Sequence, residues 1–138
     1  MAEKKEISSK EKIIKQLKNA LISKSEIIFS YIHGSFLDRF PFQDIDIALY
    51  VNPKKISSLQ TFDYSFQLSV DISKQIGLEV DIQIMNYASL GFQHSVFKNG
   101  KLLFSKDENL RLSLIESTSL EYVDFYELSL QYIRDLVY

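Results

Sequence analysis

The chain has no cysteine. That excludes disulfides and thiolate metal sites, and it fits a protein of the reducing cytoplasm. Only two prolines and four glycines occur in 138 residues, with no Pro/Gly-rich linker, repeat or low-complexity tract. The expectation is therefore a single domain over residues 1–138, large enough to bury a core and too small for two. No apolar run approaches the roughly 20 residues that span a bilayer. The N-terminus, MAEKKEISSKEK, lacks the apolar centre of a secretory signal. No basic cluster stands out: 16 Lys/Arg against 18 Asp/Glu give a net charge of −2, and Glu3, Glu6 and Glu11 interrupt the lysines of the first turns. Binding of duplex DNA or long RNA depends on clustered cations that displace counterions. Neither a membrane nor direct nucleic-acid binding is expected.

One stretch concentrates the chemistry. Glu26 to Ile32 is β-branched and aromatic and reads as a first central strand, ending at Gly34-Ser35. Asp44 to Val51 reads as a second, stopped by Asn52-Pro53. Strand side chains alternate, so Asp44 and Asp46 project from one side, about 6–7 Å apart, and Ile45, Ile47 and Leu49 from the other. Two carboxylates at that distance repel by roughly 2–3 kcal/mol at an effective dielectric of about 20. A divalent cation offsets this economically, since Mg²⁺ takes hard oxygen ligands and shares them with phosphates. The Gly34-Ser35 turn offers approachable backbone N–H groups and a short hydroxyl, which is what a phosphate needs. Turn and acidic pair together read as a nucleoside-triphosphate site. Ser35 also reads as the cap of a helix beginning near Phe36, and the two roles are compatible because helix N-termini attract anions.

The remaining elements follow from spacing. Ser8-Ser9-Lys10-Glu11 has capping-box spacing, and Ile13, Ile14, Leu17, Ala20 and Leu21 predict a helix from there to about Ser23. Ser57 to Gly77 reads as a helix packed through Leu59, Phe62, Phe66, Val70 and Ile76, with Gly77 as its C-cap. Leu78 to Ile84 is a third strand with Glu79, Asp81 and Gln83 on one side. Asp81, at mid-strand between Val80 and Ile82, is preferred as a third carboxylate, with Glu79 as the alternative. Ala88 to Lys98 is a short helix closed by Asn99-Gly100, Lys101 to Ser105 an edge strand, and Asn109 onward helical again with a break near Ser117-Thr118-Ser119. The order describes a small α/β sheet with helices packed against one face. Along the last helix Tyr122, Tyr126, Ile133 and Val137 form one apolar stripe and Phe125, Leu128, Tyr132 and Leu136 a second. One stripe suffices to pack a helix on its own domain; the second is expected to meet another chain. Arg39 is a candidate triphosphate contact by charge and location. His33 reads as a structural strand-end residue and His94 as a surface or packing residue.

Gly34-Ser35 followed by Asp44-x-Asp46, with Asp81 on a neighbouring strand, resembles the signature of the nucleotidyltransferase superfamily in its minimal form, the MNT domain. The resemblance implies an α/β (α+β) fold, with a small mixed sheet and a C-terminal helical segment at residues 109–138. It also implies Asp44, Asp46 and Asp81 as catalytic carboxylates holding one or two Mg²⁺, with Asp81 also acting as base. Gly34, Ser35 and Arg39 would then hold the triphosphate of ATP. The link Phe36-Leu37-Asp38-Arg39-Phe40-Pro41-Phe42-Gln43 is slightly shorter than usual in the family and lacks its Ala-Arg-Gly segment. Chain size, the Glu121–Tyr126 segment and the run from His94 to Phe104 look like the MntA-type antitoxins, which pair with HEPN-domain ribonuclease toxins. That likeness implies transfer of AMP to a toxin tyrosine, with the C-terminal segment docking the toxin. Two other classes stay open. One is a small-molecule adenylyltransferase of the aminoglycoside-modifying type, usually built with a further helical domain that 138 residues barely allow. The other is a non-catalytic antitoxin acting by binding alone, which the altered link favours.

Overall fold

The computed structural model describes residues 2–38 and 44–137; Arg39 and the rest of the link, residues 40–43, lie outside them. A long helix, α1 (Ala2–Ile22), leads into β1 (Ile27–His33), one turn of helix α2 (Ser35–Asp38) and β2 (Ile45–Val51). Then come α3 (Thr61–Ile76), β3 (Val80–Ile84), α4 (Leu90–Asn99), β4 (Lys101–Ser105) and α5 (Glu108–Val137). The four strands form one mixed sheet in the order β3-β2-β1-β4. β1 lies antiparallel to both β2 and β4, whereas β2 and β3 are parallel, joined by the α3 crossover.

The expected elements are present, with shifts that have local causes. α1 begins at Ala2, so Ser8 lies inside the helix instead of capping it. α3 begins only at Thr61, because Ser57 to Gln60 form a turn in which the Gln60 side chain accepts the Ser57 N–H at 2.9 Å. Gly77 ends α3 as expected: its φ of 82° is the left-handed region, and its N–H donates to the Ser73 carbonyl. α5 runs unbroken through Ser117-Thr118-Ser119, opened by the Asp107 side chain accepting the Leu110 N–H. Buried Thr118 sits within it.

Helices pack on both faces of the sheet, not on one. Ile45, Ile47, Leu49 and Val51 of β2 and Val80, Ile82 and Ile84 of β3 meet Leu17 and Leu21 of α1 and Leu68 and Ile72 of α3 in the larger core. On the opposite face Phe29, Tyr31 and Ala48 meet Val96 of α4, with Leu114 of α5 against them. Alternation along each strand supplies both surfaces, and an aromatic stripe of Phe29, Tyr31 and Tyr50 is too apolar to be left to water. The face of α3 that spacing predicts is buried only in part. Ile76 packs against the larger core beside Leu68 and Ile72, which spacing did not pick. Phe62 and Phe66 are 76% and 62% exposed, and Leu59, in the turn before the helix, is 92% exposed.

The free edge of β3 is covered from α3. Ser73 Oγ accepts the Val80 N–H at 2.9 Å and lies 3.2 Å from the Val80 carbonyl, and Ser69 Oγ accepts the Ile82 N–H at 3.0 Å. Edge amides left bare would template pairing with another chain. Beyond half-buried Tyr122, the described members of both apolar stripes of α5 are in solvent: Phe125, Leu128, Tyr132 and Leu136 are exposed, and so are Tyr126 and Ile133. The expectation that one whole stripe packs on the domain is therefore corrected, since of the first stripe's described residues only Tyr122 does so. α5 is held instead through Leu114, Thr118, a Tyr122 ring stacked 3.8 Å from His94, and Arg111, which donates to the Tyr31 hydroxyl at 2.7 Å.

Candidate active site

The acidic pattern is placed by strand register. β2 and β3 run parallel with Asp46 directly beside Asp81, and β1 and β2 run antiparallel with His33 directly beside Asp46. A row His33, Asp46, Asp81 therefore crosses three strands on one face, at strand spacings of about 4.8 Å. Val80 and Ile82 are buried and Asp81 is exposed, so the alternation of β3 turns Asp81 to the same open face. Asp44 sits just before β2, two positions from Asp46 and exposed. Glu79 lies just before β3, where its carbonyl accepts the Ile45 N–H.

Gly34 closes the other end of the row. Its φ is +79°, and a Cβ built there would lie 2.4 Å from Asp46 Oδ2. Both facts demand glycine: a side chain would meet a disfavoured backbone region and the carboxylate itself. Ser35 begins α2, and its hydroxyl points to the Asp44 carbonyl at 3.4 Å, a long contact. Thus Gly34, Ser35, Asp44, Asp46 and Asp81 come together, whereas Arg39 is outside the described residues. His94 is far from this role, stacked on Tyr122 of α5.

Burial first, then the charges of Asp81 and Asp44, push the Asp46 carboxyl above the usual range, against the opposing pull of His33. Burial also lowers His33, although Asp46 and Asp81 pull it up. Its Nε2 is buried without a hydrogen-bond partner among the described residues, and the ring sits edge-on to Phe92 at 5.5 Å. The sequence places His33 at a strand end beside the site; the register makes it the direct neighbour of Asp46. Only strand pairing could reveal that, since nothing in local spacing sets which β1 residue faces Asp46.

A groove of about 670 Å³ runs past Asp44, Asp46 and Asp81, bounded by Phe66 and Lys74 of α3. A hollow of about 740 Å³ along α5 is larger, but among the described residues it is lined by that helix's own side chains, and none of Asp44, Asp46 and Asp81 is among them. Among the described residues no three His, Cys, Asp or Glu side chains stand close enough together to enclose a metal ion. No helix among them is long and apolar enough to cross a membrane.

The family model described as Polymerase beta, Nucleotidyltransferase matches residues 15–109, more than half of the chain and all of the row above. Several solved structures share the fold. A chain of the complex of tri-AMPylated Shewanella oneidensis HEPN toxin with MNT antitoxin matches at 20% identity and a TM-score of 0.65, covering 96% of this chain and 99% of that one. A chain of the MntA–HepT toxin–antitoxin crystal structure matches at 19% identity and a TM-score of 0.64, with 94% and 97% covered. A toxin–antitoxin structure with AMP-PNP matches at 20% identity and a TM-score of 0.62, with 94% and 98% covered. Comparison with curated protein sequences gives no match.

Proposed function

This chain belongs to the polymerase beta nucleotidyltransferase family, and we propose that it transfers AMP from ATP to a tyrosine hydroxyl of a HEPN ribonuclease toxin, silencing it. The observation that carries this reading is the register of Asp46 with Asp81 beside Gly34. It is supported by fold likeness over nearly the whole chain to a complex holding a tri-AMPylated HEPN toxin and an MNT antitoxin.

The donor set fits magnesium by chemistry: carboxylate oxygens are hard ligands, and Mg²⁺ uses one or two of them with substrate phosphates and water, not an all-protein cage. Asp44, Asp46 and Asp81 would between them hold one or two such ions, which would supply positive charge against the departing pyrophosphate. The protein's own groups do the rest. Gly34 lets the turn backbone approach the β- and γ-phosphates, and Ser35 adds a hydroxyl at the start of α2. Asp81 takes the proton of the incoming tyrosine hydroxyl. The tyrosine oxygen forms a bond to the α-phosphorus while the bond from that phosphorus to the bridging oxygen breaks. Pyrophosphate leaves with the electron pair, and the proton remains on Asp81. The exposed stripes of α5 are the surface on which the toxin docks, and the whole of residues 1–138 works as one minimal nucleotidyltransferase domain.

Incubation with α-labelled ATP, Mg²⁺ and a co-encoded HEPN protein tests this. Label on a tyrosine of the HEPN protein is expected. Tight binding without label would mean neutralisation by contact alone, and label on an added aminoglycoside but not on the HEPN protein would mean a small-molecule enzyme; either result overturns the reading.

A further inference from the structure

We propose that the outer face of α3, centred on Phe62 and Phe66, binds the acceptor protein's polypeptide next to the hydroxyl that receives AMP. The inference rests on the function proposed above and names where that reaction takes hold of its second substrate.

Two large apolar side chains, one turn apart, are left in water. Phe62 and Phe66 are 76% and 62% exposed, and their rings lie nearly parallel at 6.4 Å. Leaving such a pair in water is unfavourable compared with burying it against apolar atoms. The pair is not isolated. Both rings line the groove that contains Asp44, Asp46 and Asp81. At Phe62 that groove meets a second hollow of about 270 Å³ reaching to exposed Tyr87. A continuous trough thus follows the outer edge of β3 from Tyr87 to the carboxylates.

The order of the strands says which substrate belongs there. Gly34 follows β1, on one side of Asp46, and β3 with Asp81 lies on the other. In an in-line displacement the attacking oxygen and the leaving group stand on opposite sides of the phosphorus. Pyrophosphate held at Gly34 and Ser35 therefore sends the acceptor in from the β3 side, where the trough begins. β3 alone spans about 16 Å at strand rise, a length that suits several residues of extended chain. Ser69 and Ser73 already occupy the edge amides of Val80 and Ile82, so the acceptor segment is held by side chains seated on Phe62 and Phe66, not by strand addition.

The test uses the full chain carrying Phe62→Ser and Phe66→Ser, two exposed positions at which folding is expected to survive. Initial rates are measured against HEPN protein and, separately, against ATP. A rise of at least tenfold in KM for the HEPN protein is expected, with kcat at saturation and KM for ATP unchanged. An unchanged KM for the HEPN protein overturns the proposal. So does a selective rise in KM for ATP, which would make the ring pair a base-binding site. Should the unmodified chain transfer nothing, the proposed function falls, and this inference is then decided by photocrosslinking from benzoylphenylalanine placed at position 66. Crosslinks to a tyrosine-bearing segment of the HEPN protein support it, and crosslinks elsewhere or none overturn it.

Discussion

Asp46 and Asp81 are register partners on neighbouring parallel strands, so two carboxylates separated by 34 intervening residues are side by side on one open face. Replacing Asp46 by Asn removes one oxygen donor and one charge. Transfer should fall by about 10²-fold or more, equivalent to roughly 3 kcal/mol of transition-state stabilisation. Binding of the HEPN protein, read by size-exclusion chromatography, should persist. In thermal melts, Mg²⁺ with a non-hydrolysable ATP analogue should raise the midpoint of the unmodified chain and not that of Asp46→Asn.

Gly34→Ala should fail in two ways at once. The backbone at φ +79° disfavours alanine by about 1–2 kcal/mol, which a melt would register as a few degrees. The new methyl would also displace the Asp46 carboxylate. Transfer should therefore drop well beyond what the lost stability explains, with a raised KM for ATP; full activity in this variant would show that Gly34 does not shape the site.

Ser69→Ala and Ser73→Ala each strip a partner from an amide on the β3 edge. An amide left unpaired there costs about 1–3 kcal/mol. The melting midpoint should fall by a few degrees in each variant. The freed edge should also promote association at high concentration, visible by light scattering. Ser65→Ala, whose hydroxyl donates to the Phe62 carbonyl within its own helix, is the control expected to change little.

Tyr64 donates to Glu26 at 2.7 Å, linking α3 to the start of β1. Burial raises the Glu26 carboxyl, but this bond together with a backbone hydrogen bond and the charges of Lys24 and Lys55 outweighs it, so the group lies below its ordinary value. A lowered carboxyl contributes stability that is fully present above its unfolded value near 4.5 and is lost as pH falls through the folded one. Tyr64→Phe should thus cost about 1 kcal/mol at pH 7. The difference from the unmodified chain should shrink in urea titrations below about pH 4.5; a constant gap across that range would contradict the assignment.

Deleting residues 125–138 removes exposed apolar side chains without touching the buried Thr118 or the Tyr122–His94 stack. The midpoint of thermal unfolding should stay within about 2 °C, because little buried surface is lost. Complex formation with the HEPN protein should disappear. Unimpaired binding by the shortened chain would move the docking surface off α5.

The sequence by itself determined the elements, the acidic strand pattern and the Gly-Ser bend, because periodicity, β-branching and glycine act over a few residues. It also determined that β3 turns Asp81 to one side and Val80 and Ile82 to the other. Tertiary structure decided what depends on partners distant in the chain. Register put His33 beside Asp46 and Asp46 beside Asp81. The choice of α3 face left Phe62 and Phe66 in water while Leu68 and Ile72 were buried, although both sets have helical spacing. The sheet took helices on both faces, since α4 and α5 had to cover Phe29 and Tyr31. Hydrophobic spacing names surfaces able to be buried; which surfaces are buried depends on where the rest of the chain lies.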